Sequence, residues 1–300
     1  MKSDCDVLLF GDYFCDVIIT GLSGVPMLGA DLFGQSMEIV PGGAYILAAW
    51  LNRLGVKCRW AARLGNDIFS RFIREEAQRE GLDTRLFQEY SHPQRSMSLS
   101  FSFQHDRGFI SYMDPFPQAI PYLALIEDQK PGWVLNSPFD GSLETRFLVD
   151  RIHQLGGRVY TDCQYVTTTL DEPGLIDLLR VIDIFAPNQS EACQLTGEND
   201  LEKALGLLAE FCPLVIIKCG ADGAYAQAGK QVWYSPALKL KVVDTTGAGD
   251  SFNAGFLAGL VNGEPVETCL RYGNICGGVS TTQHGGASAA LTLEQLKKYL

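Results

Sequence analysis

Short apolar runs alternate with helix-period segments along this 300-residue chain, and that alternation constrains the fold more than any other feature. Val7–Phe10, Cys58–Ala62, Trp133–Leu135, Arg158–Thr161, Ile182–Ala186 and Leu214–Lys218 read as buried strands. Ala44–Leu54, Ile68–Glu80, Leu143–Leu155, Leu201–Phe211, Asp250–Val261 and Val266–Thr281 carry the helical period, with Gly55 and Gly81 placed as C-terminal caps. Strands covered on both faces are apolar throughout, and helical crossovers join parallel neighbours. The expected class is α/β with a mainly parallel sheet. No repeat, low-complexity tract or linker divides the chain, so residues 1–300 are expected to form a single domain.

Two segments break the rhythm. Residues 17–40 are Gly-rich with short apolar pieces, and residues 96–113 alternate Met97, Leu99, Phe101 and Phe103 before a polar turn (Gln104 to Gly108), then Phe109 and Ile110. The second segment reads as a hairpin with one apolar face. Strands inserted into an α/β chain predict a small β-sheet lid at about 17–40 and 96–113. Two readings of its apolar face stay open: an edge hairpin packed on its own core, or a lid closing on substrate and offering a homodimer contact.

The net charge of −11 leaves no broad basic face and argues against nucleic-acid or anionic-membrane partners, but not against a nucleotide ligand. Nine scattered cysteines without CxxC spacing suggest neither a disulfide framework nor a zinc site. Asp4 and Asp6 do not suit a signal peptide, and no apolar stretch reaches membrane-span length. A cytoplasmic location is expected.

The chemistry concentrates in Val242-Val243-Asp244-Thr245-Thr246-Gly247-Ala248-Gly249-Asp250-Ser251-Phe252. This reads as strand, small-residue turn and helix start. The amides of Gly247, Ala248 and Gly249 are not covered by bulky side chains, and with the helix dipole they suit an anion such as phosphate. Asp250 places a carboxylate beside that site. A base next to a phosphate cradle is what phosphoryl transfer to a hydroxyl requires. The plainer alternative is a helix start with a first-turn acid. No Gly-Lys-Ser/Thr occurs, which excludes a P-loop, and Phe252 stands where a dinucleotide fingerprint needs its third Gly.

Residues 244–252 resemble the C-terminal signature of the ribokinase-like (PfkB) carbohydrate kinase family. Four further segments resemble the family's motifs in its order. They are Val40-Pro41-Gly42-Gly43-Ala44 with Leu51–Gly55, Arg63–Phe69, Pro187-Asn188-Gln189-Ser190-Glu191, and Lys218-Cys219-Gly220-Ala221-Asp222-Gly223. The resemblance implies a three-layer sandwich with a central, mostly parallel sheet and a β-sheet lid. It implies an ATP-dependent kinase acting on a hydroxyl of a small sugar-like substrate. Asp250 would be the general base, with Gly247, Ala248 and Gly249 as anion hole. Asp16, Asp12, Gly42 and Gly43 would meet the substrate. Asn188, Lys218, Gly220, Gly223 and Asn274 would border the nucleotide. Glu191 would organise Mg²⁺ through water, and Asp244 matches a position able to hold a monovalent cation such as K⁺. Asn188 and Glu191 also have capping-box spacing.

The chain departs from the pattern at three places: Leu47 for an Asn that holds sugar, Lys218 for Thr, and Asp162-Cys163-Gln164 for Asp-x-Asn. Arg95 and Arg107 are placed either to meet an anionic substrate group or to remain solvated. The rival readings are a nucleoside kinase and a catalytically silent sugar or nucleotide sensor.

Overall fold

The computed structural model describes residues 4–103, 106–116, 118–163 and 168–300, with the side chains of 102, 103, 106 and 107 excepted. Gln104, Gln164 and the Arg107 side chain named above therefore lie outside the described residues. The strands, in chain order, are β1 (Val7–Phe10), β2 (Tyr13–Thr20), β3 (Ser36–Gly43), β4 (Cys58–Ala61), β5 (Arg63–Leu64), β6 (Gln88–Glu89), β7 (Ser96–Phe103), β8 (Asp106–Met113), β9 (Trp133–Leu135), β10 (Arg158–Thr161), β11 (Ile184–Phe185), β12 (Leu214–Lys218), β13 (Ala224–Ala228) and β14 (Gln231–Ser235). The helices are α1 (Ala44–Arg53), α2 (Ile68–Glu80), α3 (Tyr122–Gln129), α4 (Leu143–Gln154), α5 (Leu175–Val181), α6 (Gln189–Thr196), α7 (Leu201–Ala209), α8 (Ala248–Val261), α9 (Val266–Ser280) and α10 (Leu293–Lys297).

Among the described residues the large sheet runs β14-β13-β12-β11-β10-β9-β1-β4. Its strands are parallel from β4 to β12, and β13 and β14 close one edge as an antiparallel hairpin. Alternate side chains of β1 feed two cores. Val7 and Leu9 pack with α1, α8 and α9, whereas Leu8 and Phe10 pack with α4, α5 and α7. This is the expected three-layer α/β sandwich. No helix among the described residues is long and apolar enough to cross a membrane.

A second sheet, β3-β2-β7-β8, stands apart from the first. Its first two strands, Tyr13–Thr20 and Ser36–Gly43, take up both ends of the 17–40 segment and run beyond it, pairing from Tyr13 with Gly43 to Thr20 with Ser36. Asp67 fixes this sheet to the body. Its carboxylate caps α2 through the amides of Phe69 and Ser70 (both 3.0 Å) and also accepts the Gln94 amide (2.9 Å) at the entry to β7. Tyr13 adds a hydrogen bond from its hydroxyl to the Gln94 carbonyl (2.6 Å).

Register puts Asp16 beside Ser98 and Ile18 beside Ser100, with Ser111 opposite Ser98 and Phe109 opposite Ser100. Paired residues share a face, so these side chains form the inner face. Met37, Ile39, Ile110 and Tyr112 are exposed, at 61, 48, 59 and 51%. The sequence reading followed the apolar side of the hairpin; its serine side is the one turned inward.

One expected strand does not form. Val242 and Val243 are irregular and exposed, and the amides of Val243 and Asp244 both donate to the Thr281 carbonyl (2.7 and 3.1 Å). Those two backbone hydrogen bonds hold the segment to the end of α9 instead of to the sheet, so strand propensity alone does not decide its conformation.

Candidate active site

A cavity of about 210 Å³ lies between the start of α8 and the inner face of the small sheet. Gly247 and Asp250 line it from one side, and Phe14, Asp16, Ile18, Ser98, Ser100, Ser111 and Phe109 from the other. A larger apolar depression of about 690 Å³ between α3 and α4 contains none of the expected site residues. Asp16, Gly43, Gly247 and Asp250, expected as site residues, all line the smaller cavity.

Gly247 takes φ 69° as the N-cap of α8, a left-handed conformation that favours glycine. The Ala248 amide reaches the Thr245 carbonyl (3.3 Å), and Ser251 N–H opens the helical series on the Gly247 carbonyl (2.9 Å). The first-turn amides of Gly249 and Asp250 precede that bond and belong to the end of the helix where anions are favoured. A Cβ on Gly249 would lie 3.6 Å from Lys218 Nζ, so the ammonium stands directly beside this turn.

Asp250 is partly buried on the cavity wall. Burial, reinforced by the carboxylates of Asp162 and Asp16 and opposed by Lys218, raises its pKa to about 7. Asp16 is 8% exposed and reaches about 7 through burial and then the nearby Asp244 carboxylate. Gly42 is what admits Asp16: a Cβ there would sit 2.1 Å from Asp16 Oδ2. Gly43 has φ 62°, and a Cβ on it would meet the Asp12 carbonyl at 2.6 Å. The two glycines therefore seat the carboxylate and turn the chain into α1.

Asp12 is oriented elsewhere. Arg63 grips its carboxylate with Nε (3.0 Å) and Nη2 (2.6 Å), and the same guanidinium lies 3.3 Å over the Phe116 ring. This ion pair satisfies the Asp12 carboxylate locally, and Asp12 is not among the residues that line the cavity. Leu47 is buried in the core at 1% exposure; its neighbour Ile46 lines the cavity. Arg95 forms a two-pronged pair with Asp114 (2.9 and 3.1 Å) rather than entering the cavity.

Behind Asp250, Lys218 Nζ donates to Asp162 Oδ2 (2.6 Å) and reaches Asn253 Oδ1 (3.4 Å), which also accepts the Tyr160 hydroxyl (3.0 Å). Asp162 and Asn253 are site residues the sequence reading did not assign. Asn253 lies three residues after Asp250 on α8, a spacing that marks a shared helix face.

Asn188 and Glu191 form a complete capping box on α6, with Asn188 Oδ1 accepting the Glu191 amide (2.9 Å) and Glu191 Oε2 the Asn188 amide (2.7 Å). Burial raises the Glu191 pKa. Donor atoms of Asp162, Cys163 and Glu191 lie within 4.8 Å of one another, and Asp162 Oδ1 is buried without a protein partner among the described residues. Burial pushes the Cys163 thiol far up, so it stays protonated. Two hard carboxylate oxygen donors, one of them carrying an unpartnered oxygen, suit Mg²⁺.

The remaining expected residues have local roles. A Cβ on Gly223 would collide with the Ser235 carbonyl at 2.2 Å, and Asn274 Nδ2 donates to that same oxygen (2.7 Å). Gly220 borders open space. Asp244 Oδ1 accepts the amide and hydroxyl of Thr246 (2.9 and 2.8 Å), and its Oδ2 accepts the Gly285 amide (3.0 Å).

Known proteins share the sequence and the fold that carry this site. The family model described as pfkB family carbohydrate kinase matches residues 145–293. The 5-dehydro-2-deoxygluconokinase of Bacillus subtilis is 35% identical over 285 residues, covering 88% of this chain and 87% of that protein. The chain belongs to the PfkB family of carbohydrate kinases. Another family relative, the aminoimidazole riboside kinase of Salmonella typhimurium, is 28% identical and covers 87% of this chain and 88% of its own. Among solved structures, Arabidopsis thaliana ribokinase complexed with ribose and ATP superposes with TM-score 0.79 at 21% identity, covering 99% of this chain and 98% of that one. At that identity the likeness establishes the fold of this PfkB protein.

Proposed function

We propose that this chain transfers the terminal phosphoryl group of ATP to a hydroxyl of a small polyhydroxyl compound bound in the 210 Å³ cavity. The observation that carries the reading is Asp250, whose partly buried carboxylate borders both the cavity and the amide-rich start of α8. Asp16 accepts hydroxyl donors of the acceptor and orients them. The acceptor proton passes to Asp250 as the acceptor oxygen bonds to the γ-phosphorus. The bond from that phosphorus to the bridging oxygen breaks, and ADP leaves. The first-turn amides and Lys218 meet the charge on the transferring group. The strand-end segment with Gly220 and Gly223 borders the nucleotide.

Glu191 and Asp162 would hold Mg²⁺, largely through water, and the ion would neutralise polyphosphate charge. K⁺ is left out of the proposed reaction, since both Asp244 oxygens already clasp backbone amides. The exposed apolar face of the small sheet is assigned to a second copy of the chain. Relatives named for a deoxygluconate and for a riboside support a sugar or nucleoside acceptor without choosing between them. A nucleotide-binding sensor would lack turnover.

Acceptor-dependent ADP release tests the reading. Asp250→Asn is expected to lower kcat by about 10²- to 10⁴-fold, in keeping with loss of a general base, while MgATP binding by calorimetry survives. Equal turnover in wild type and variant would contradict it.

A further inference from the structure

Asp162 and Lys218 form an ion pair behind Asp250 that is largely withdrawn from solvent, their side chains 16 and 10% exposed. Among the described residues, Lys218 Nζ donates to Asp162 Oδ2 (2.6 Å) and to Asn253 Oδ1 (3.4 Å), two of the three bonds an ammonium can give. Asn253 is held in turn. Its Oδ1 accepts the Tyr160 hydroxyl (3.0 Å), and its Nδ2 donates to Asp162 Oδ2. The amide is thereby oriented with its nitrogen toward the carboxylate.

The two oxygens of Asp162 have different surroundings. Oδ2 carries the bonds from Lys218 and Asn253, whereas Oδ1 is buried without a protein partner among the described residues. The same carboxylate groups with Glu191 as a candidate metal ligand. A divalent cation there and the ammonium would share one acid, and like-charge repulsion makes each weaken the other's hold on it. On its other side the ammonium borders the first turn of α8, where a Cβ on Gly249 would lie 3.6 Å from Nζ. That turn is the end of the helix that favours anions. Lys218 thus stands between an acid and the place where phosphoryl charge gathers, on a flexible four-carbon stem. Its field reaches both neighbouring acids: burial raises Asp250 and Glu191, Asp162 adds to the rise, and Lys218 opposes it.

We propose that Lys218 is an exchangeable counter-ion. It neutralises Asp162 in the absence of a divalent cation, and it turns to the terminal phosphoryl group of the nucleotide once a cation at Asp162 and Glu191 takes over that charge. The proposal rests on the kinase reading for the identity of the nucleotide. Asn253, fixed by Tyr160, is a positioning residue that keeps Asp162 in place while Lys218 changes partner. Metal and triphosphate then favour each other's binding through one side chain.

Binding measurements on the full chain test this without turnover. Mn²⁺ is titrated without nucleotide by electron spin resonance, and the Mg²⁺ complexes of ADP and of the β,γ-imido analogue of ATP by calorimetry. Lys218→Met removes the ammonium and keeps the length of the side chain. It is expected to bind nucleotide-free Mn²⁺ at least about threefold more tightly than wild type, because Asp162 has lost its competitor. It is expected to bind the triphosphate analogue at least about tenfold more weakly, with ADP altered by less than about threefold. A merely structural role would weaken all of these together. Lys218→Gln keeps a hydrogen-bond donor for Asp162 and should shift both affinities in the same directions, which keeps the test open if the Met variant does not fold. Asp162→Asn should weaken Mn²⁺ binding at least about tenfold; unchanged binding there would remove this acid from the exchange. Mn²⁺ binding that is weaker, equal or undetectable in the Lys218 variants, or equal losses for ADP and the triphosphate analogue, would overturn the proposal. None of these readings involves an acceptor. A chain that shows both shifts yet releases no ADP with any acceptor would contradict the kinase reading and leave the exchange standing.

Discussion

Asp250 and Asp16 hold the same unusual protonation equilibrium for related reasons. Both are carboxyls largely withdrawn from water with other acids nearby, and burial pushes both up from 3.8 to about 7. A base must be deprotonated, so kcat/KM is expected to rise with pH through about 7 and then level off; a profile already flat from about pH 5 would remove Asp250 from the base role. The same shift affects stability with a definite sign. Between 3.8 and about 7 the unfolded carboxyls release protons that the folded ones keep, so stability falls as pH rises through that window. Above about 7 the full cost remains. Asp250→Asn and Asp16→Asn should therefore raise the melting temperature of the ligand-free protein more at about pH 8 than at about pH 5, by roughly 1–2 kcal/mol in stability at the higher pH. Gly42→Ala carries the opposite sign. Its Cβ would overlap the Asp16 carboxylate. Acceptor affinity should fall at least tenfold, and stability by about 1–3 kcal/mol, measured by calorimetry and denaturant melts.

At the scale of elements, one turn of α6 has two separable duties. Asn188 and Glu191 close the helix on themselves, and Glu191 also faces Asp162. Asn188→Ala should cost about 1 kcal/mol of stability by loss of the cap. Glu191→Gln can keep the cap, because an amide oxygen also accepts the Asn188 amide, but it removes the charge facing Asp162. It is expected to raise the Mg²⁺ concentration needed for half-maximal activity with little change in the melting temperature. Equal Mg²⁺ requirement in wild type and Glu191→Gln would assign this residue to the cap alone. The small sheet shows what local pattern can and cannot convey. Its hairpin was legible from period-two alternation at 96–113, and so was the presence of an apolar face. Which face turned inward was not, since alternation fixes two sides but not their partners. Register against β2, a long-range pairing, put Ser98 and Ser100 over Asp16 and Ile18.

For the molecule as a whole, six strand segments and six helices were readable because parallel strands buried on both faces leave continuous apolar runs. The β13–β14 hairpin was not, since Gln231, Val232 and Tyr234 face outward on an edge strand and dilute the apolar signal. The Val242–Val243 pair misled because its backbone is held by the Thr281 carbonyl after α9 rather than by a neighbouring strand. That Asp250, Asp16 and the Gly42–Gly43 turn come together was legible as a shared motif pattern, and the structure sets Asp16, Gly43 and Asp250 around one cavity. The pairing of Asp12 with Arg63 was not legible because Arg63 comes from a separate strand, and the contact of Asp162 with Asn253 arises only where the end of β10 meets α8. The exposed outer face of the small sheet leads to a further expectation. Sedimentation should show a dimer that Ile39→Asp together with Ile110→Asp converts to a monomer, whereas an unaltered sedimentation coefficient would remove this face from the assembly.

The central claim is transfer to a carbon-bound hydroxyl with Asp250 taking the proton. Phosphorus NMR on MgATP with the acceptor that best supports ADP release tests it most directly. The account predicts a phosphate-monoester resonance growing in equal amount with ADP in the wild type and absent in Asp250→Asn. Free phosphate appearing in place of the ester, or the ester forming at the same rate in the variant, would contradict it.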